Sequence, residues 1–164
     1  MDHTLPTRSL RSFDPKHLLP HCGKALIIDK VYALPAEHFG VGCLDNNREH
    51  VFDGHFSGNA IFPGHWLIEF ASLTCAAMFT VSSGISITGT TGVRIVGLDG
   101  CRFYSEVRPW NKLLCRVELI RHLQDVAIFS AEITREENVK LPEVVCRIKK
   151  LIGVVVKEKS PSDK

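Results

Sequence analysis

The sequence predicts an α+β domain in which a mostly antiparallel sheet packs around one long helix. Residues 60–81 carry a single formal charge, Glu69, in a run that is otherwise apolar or small. Its apolar positions fall on every face rather than along one stripe, the pattern of a helix buried all round. Strand-like runs are segregated from this helix instead of alternating with further helices, which separates α+β from a parallel α/β sheet. At 164 residues, 45% apolar and 23% charged, the chain has the size and composition of one globular domain.

In chain order, residues 1–13 are polar and mixed, a loose arm. Asp14-Pro15 offers a cap followed by proline at the first helical position, predicting a short helix through Leu19. Residues 25–34 and 38–44 read as strands, with Asp45-Asn46-Asn47 as punctuation and a short strand over 49–52. Pro63 suits the entry to the long helix, because its missing N–H would have no acceptor there. Ser82-Ser83-Gly84 stops it, and 85–92 is loop. Strands follow over 93–107, 113–122, 126–134 and 144–156, with turns at 121–125 and 136–138, about six strands in all. Pro109, Pro142, Gly97 and Gly100 mark bends, bulges or strand ends. The domain is thus 14–156, and 157–164 is a charged, frayed tail.

Several function classes are excluded. A net charge of +2 with no dense Lys/Arg block gives nucleic acid nothing to recognise. The six cysteines are spread singly, with no Cys-x-x-Cys pair, so no metal site is expected. The N-terminus lacks the apolar core of a secretory signal, and reduced thiols in a cytoplasm are the simpler reading. The 60–81 run is long enough to span a membrane, but a span would carry Glu69, His65 and a Pro-Gly, each costly in lipid. A buried helix of a soluble protein fits better. Glu69 then needs a reason, since desolvating an unpaired carboxylate costs several kcal/mol or forces it neutral.

The order of motifs supplies one. Leu19-Pro20-His21 precedes a strand ending near Asp29; then come Gly54-His55-Phe56-Ser57-Gly58, Ile61-Phe62-Pro63-Gly64 and Leu67-Ile68-Glu69. Val96-Gly97-Leu98-Asp99 and Arg102-Phe103 lie downstream. This series, over roughly residues 14–152, resembles the β-hydroxyacyl-(acyl carrier protein) dehydratases of fatty-acid synthesis. The spacing of 14 positions from His55 to Glu69, with Pro-Gly between, is that of the family. The resemblance implies a hot-dog fold, an antiparallel sheet wrapped around one helix. It implies His55 and Glu69 as the catalytic pair and Gly64 as the backbone donor to the thioester carbonyl. It further implies an acyl carrier protein as partner, and a homodimer or trimer of dimers. His55 and Glu69 of one site would then come from different subunits. No cofactor is implied beyond the carrier's phosphopantetheine.

The chemistry suits these residues. Removing water from a 3-hydroxyacyl thioester needs a base at C2, a donor for the enolate-like oxygen, and an acid for the leaving hydroxyl. A histidine fits the first task near neutral pH. A glycine at a helix start supplies an uncommitted N–H at the positive end of the dipole and lets the substrate approach closely. A carboxyl desolvated in an apolar helix favours its neutral, proton-donating form. Each residue also has a structural reading: His55 as a loop histidine, Glu69 as an ion-pair or capping group, Gly64 as a turn residue. His65, beside the expected donor, is either a substrate contact or a helix-start histidine.

The chain departs from the family at Ser57 and Ala60, where proline is usual, at His65-Trp66, at Leu73, at Pro109-Trp110-Asn111, and at the short Cys22–Ala25 segment before the first strand. These departures point toward a specialised polyketide or modified-lipid pathway. Two other readings are a hot-dog thioesterase and a non-catalytic acyl-binding subunit. Arg94, Arg102, Arg108, Lys112 and Arg116 are either a carrier-protein patch or a charged, solvated strand edge.

Overall fold

Among the described residues seven strands form one antiparallel sheet in the spatial order β1-β2-β3-β5-β6-β7-β4. The computed structural model describes residues 10–45, 47–56, 58–85, 92–136 and 142–156. The strands are β1 (Arg11–Phe13), β2 (Lys30–Leu34), β3 (Phe39–Asp45), β4 (Gly92–Phe103), β5 (Lys112–Leu123), β6 (Val126–Arg135) and β7 (Glu143–Val156). One helix, α1 (Gly64–Ser83), lies between β3 and β4 in sequence and packs against β2, β3, β4, β5 and β6. This is the hot-dog architecture.

The helix obeys its punctuation. Pro63 is extended at the N-cap, and Gly84 closes the C-terminus in the left-handed region, φ 64°, with its N–H on the Thr80 carbonyl. Leu67 and every residue from Phe70 to Thr80 are buried. The hydroxyls in that stretch are satisfied within the helix, Thr74 donating to Phe70 O at 2.8 Å and Thr80 to Ala76 O at 2.9 Å. Two glycines of β3 let the helix come this near. A Cβ at Gly40 would stand 2.8 Å from Met78 Cγ, and one at Gly42 would collide with Thr74 Oγ1.

Five readings need correction, the first being the strand expected over 93–107, which ends at Phe103. Arg11–Phe13 is not part of a loose arm but an edge strand, Arg11 opposite Ala33 and Phe13 opposite Val31. Residues 1–9 and 157–164 lie outside the described residues. Residues 26–29 precede β2 rather than belonging to it; Ile27 and Ile28 are core plugs, fully or almost fully buried. Residues 49–51 are a 3-10 turn, as is the short helix after Asp14, whose carboxylate accepts from Lys16 N as a cap should. Finally, α1 is not covered all round. His65 is exposed and Trp66, Ile68 and Glu69 are half-buried, because the sheet wraps the middle and end of the helix and leaves its opening turns bare. The helix has the length and apolarity of a membrane span, yet it is mostly buried in the sheet.

β4 is the other edge. Among the described residues it pairs only with β7, bulged between Ile95 and Gly97, and its 12-residue outer edge has no partner strand. Val96 is 62% exposed, and Ile95 and Leu98 are exposed beside it. A long apolar edge of this kind invites another strand.

Candidate active site

The loop that carries His55 is a run of tight turns. His55 N donates to Phe52 O and Asn59 N to Phe56 O. Gly54 and Gly58 take φ of 72° and 78°, and Phe56 shares that left-handed region at 60°, unusual for a side chain of its size. The Phe56 ring stands edge-on to the imidazole of His55, centroids 4.4 Å apart.

On the other side His55 Nδ1 lies 2.8 Å from the carbonyl oxygen of Ile61. A carbonyl only accepts, so Nδ1 carries the proton, and the neutral ring keeps its lone pair on Nε2. The neighbouring residue, Phe62, donates its N–H to Val107 O at 2.8 Å and stitches the loop to the segment after β4.

Between loop and segment is a cleft of about 460 Å³, with His55, Ile61 and Gly64 on one side and Phe103, Ser105 and Glu106 on the other. Gly64 is the first residue of α1, so its N–H has no acceptor within the helix and sits at the positive end of the dipole. A Cβ there would stand 2.9 Å from Cζ of Phe103. Only glycine lets the Phe103 ring lie this close over the start of the helix.

The structure therefore brings His55 and Gly64 to one cleft. It does not bring Glu69 or His65 there. Glu69 is half-buried on the bare face of α1, and among the described residues no ion pair or hydrogen bond engages its carboxylate. His65, one turn earlier, is exposed and tilted over Trp66, centroids 5.5 Å apart, while Trp66 meets His50 edge-on. The carboxylate in the cleft is Glu106, and its Oε2 takes the Arg108 guanidinium at 2.6 Å.

Ser105, Glu106 and Arg108 were not legible as site residues. Ser105 Oγ is buried beside the cleft with no partner among the described residues, and nothing in its spacing announces it. Arg108 belonged to the basic cluster, which the fold disperses. Arg116 lies over the Phe39 ring on the sheet, Arg94 and Arg102 are exposed on β4, and Arg108 turns back onto the His55 loop. Arg102 faces Arg147 across the β4–β7 ladder, and Arg147 covers Tyr104 at the cleft rim, 5.6 Å from guanidinium carbon to ring centroid.

Among the described residues no three His, Cys, Asp or Glu side chains converge as a metal site. The core thiols are poor nucleophiles, since burial pushes Cys75 and Cys146 up and Cys115 to about 12. Larger clefts exist, such as one of about 620 Å³ behind the His55 loop lined by Glu49, His50 and Trp110. The smaller cleft is the candidate because one lining holds both a fixed imidazole and a helix-start backbone donor.

Comparison with known proteins bears on the family. Residues 19–141 match the FabA-like domain family. The chain is 30% identical over 141 residues to the 3-hydroxyacyl-(acyl-carrier-protein) dehydratase FabZ of Dichelobacter nodosus, covering 80% of this chain and 91% of that protein. Against the protein of the same name from Burkholderia cenocepacia it is 29% identical over 135 residues, covering 80% and 86%. Among solved structures, a chain of the dehydratase heterocomplex ApeI:P from Xenorhabdus doucetiae superposes with a TM-score of 0.72 at 13% identity, over 90% of this chain and 94% of that one. A Streptococcus pneumoniae hypothetical thioesterase with coenzyme A superposes with 0.53, also at 13%, over 76% and 83%. At such identities these two show the shared fold alone.

Proposed function

The chain belongs to the FabA-like domain family, and we propose that it dehydrates a 3-hydroxyacyl thioester, carried on an acyl carrier protein, to the trans-2-enoyl thioester. One observation carries this reading: an imidazole whose Nδ1–H is held by Ile61 O shares a cleft with the open Gly64 N–H. His55 Nε2 takes the C2 proton. The thioester oxygen, gaining negative charge, is met by the Gly64 N–H and the helix dipole. The C3–O bond breaks as Glu69 delivers a proton, and water leaves. These are proton transfers, and none calls for a metal or nucleotide.

Glu69 of the same chain lies outside the cleft, so the acid comes from a second copy. The unpaired apolar edge of β4 is the surface by which two copies would join as a homodimer, laying the bare helix face of one toward the cleft of the other. His65 and Trp66 travel with Glu69 to that boundary. They favour a substrate with polar or bulky groups near the reacting carbons, of the kind specialised polyketide or lipid pathways make. Arg147, over Tyr104 at the cleft rim, suits an acidic carrier. Six free thiols suit a reducing compartment such as the cytoplasm.

The test follows enoyl formation on a carrier-bound 3-hydroxyacyl thioester. His55→Ala and Glu69→Gln should each lower turnover by about 10²-fold or more, whereas Glu106→Gln, which keeps a side-chain oxygen for Arg108, should cost far less. Activity that follows Glu106 instead of Glu69, or release of free thiol with no enoyl product, would refute the proposal.

A further inference from the structure

We propose that Arg108 is a positioning residue for His55. The inference rests on the dehydratase reading for its kinetic consequence only. Among the described residues the imidazole is aimed by one hydrogen bond, to Ile61 O. That carbonyl belongs to a loop whose residues 54, 56 and 58 all have positive φ. Backbone of this kind has several conformations open to it and must be fixed from outside.

The fixing group is Arg108. One terminal nitrogen, Nη1, donates to Asn59 Oδ1 and, at 3.4 Å, to Ala60 O, the two residues just before Ile61. The other, Nη2, is anchored on Glu106 Oε2 at 2.6 Å. The arginine's own backbone is set by a turn in which Asn111 Oδ1 accepts from Arg108 N at 2.8 Å and Asn111 N returns to Arg108 O. Glu106 is steadied in turn, its carbonyl accepting from Arg135 Nη1 at 2.7 Å. A planar fork spanning two acceptors on the loop and one on the opposite wall fixes distance and orientation together, which a lysine's single ammonium does not do. The backbone bond from Phe62 N to Val107 O lies outside this clamp and keeps the chains joined when the clamp is removed.

The experiment uses Arg108→Ala, Arg108→Lys and Asn59→Ala in the full-length protein, with two readouts. Nitrogen NMR of ¹⁵N-histidine protein reports the tautomer of the His55 ring, its signals identified by their loss in His55→Ala. Wild type should show the Nδ1–H form, and Arg108→Ala should mix in the Nε2–H form while the rest of the spectrum stays folded. In kinetics, kcat should fall about 10- to 100-fold with KM changed less than about two-fold, because geometry and not binding is lost. Arg108→Lys should recover only a small part. Asn59→Ala alters an exposed side chain and decides the matter if Arg108→Ala does not fold. If the wild type proves inert on hydroxyacyl thioesters, the tautomer readout still decides. Retention of the Nδ1–H form in both alanine variants overturns the proposal, whatever the turnover.

Discussion

Gly64 lies under the ring of Phe103, so near that a methyl group on its α-carbon would stand 2.9 Å from Cζ. Phe103 is 51% exposed and can swing aside, and alanine is no worse than glycine in a first helical turn. Gly64→Ala should therefore fold with a melting temperature near that of the wild type. Its methyl group and the displaced ring would block the approach to the helix-start N–H, and turnover should fall by about 10²-fold. Wild-type kcat in a folded Gly64→Ala protein would remove Gly64 from the mechanism.

The same contact logic gives the opposite outcome at Gly42. A Cβ there would meet Thr74 Oγ1 and stand 3.0 Å from Ile28 Cδ1. Thr74 is fully buried and locked to Phe70 O, so it cannot yield as Phe103 can. Gly42→Ala should cost about 1–3 kcal/mol, read as a lower denaturant midpoint. Adding Thr74→Ala should return part of the loss by opening that space. Full stability in the single variant would mean that helix and sheet are less tightly apposed than described.

Stability should also fall at alkaline pH. Cys75, Cys115 and Cys146 are held protonated by burial, Cys115 up to about 12 against an ordinary value of 9.0. A raised folded value makes the contribution complete below pH 9.0 and lost as pH climbs from there toward 12, since only the unfolded chain ionises in that window. The slope is about 1.4 kcal/mol per pH unit for each such thiol. Denaturant unfolding between pH 7 and 10.5 should show a plateau, then a decline that Cys115→Ala makes shallower. Unchanged stability at pH 10.5 would contradict the burial of these thiols.

What the sequence disclosed follows from how local each signal is. β5, β6 and β7 match their expected spans to within a residue, because long alternating runs bounded by turns carry their own evidence. The helix and both its ends were equally legible, from Pro63 and Gly84. β1 was not: Arg-Ser-Phe is three residues with no periodicity, and it is a strand only because β2 accepts it. The Val51-Phe52 segment has strand-forming residues but sits in a turn that sets up the His55 loop.

The site divides in the same way. His55, Gly64 and Glu69 stand at a fixed spacing in one stretch, so they could be named together. Arg108 reaches Asn59 and Ala60 from 48 or 49 positions away, a proximity that only the fold creates. Glu69's place on a bare helix face was hidden too, because an apolar run does not say which of its turns the sheet will leave uncovered.

The central claim is that each site is shared, with His55 from one copy and Glu69 from another. Complementation tests it most directly. His55→Ala and Glu69→Gln proteins, each inert alone, are mixed, unfolded and refolded together so that subunits redistribute. A shared site predicts that the mixture regains about a quarter of wild-type activity, since half the dimers are mixed and each holds one intact site. A mixture that stays inert, with mixed dimers confirmed by mass spectrometry, would contradict it.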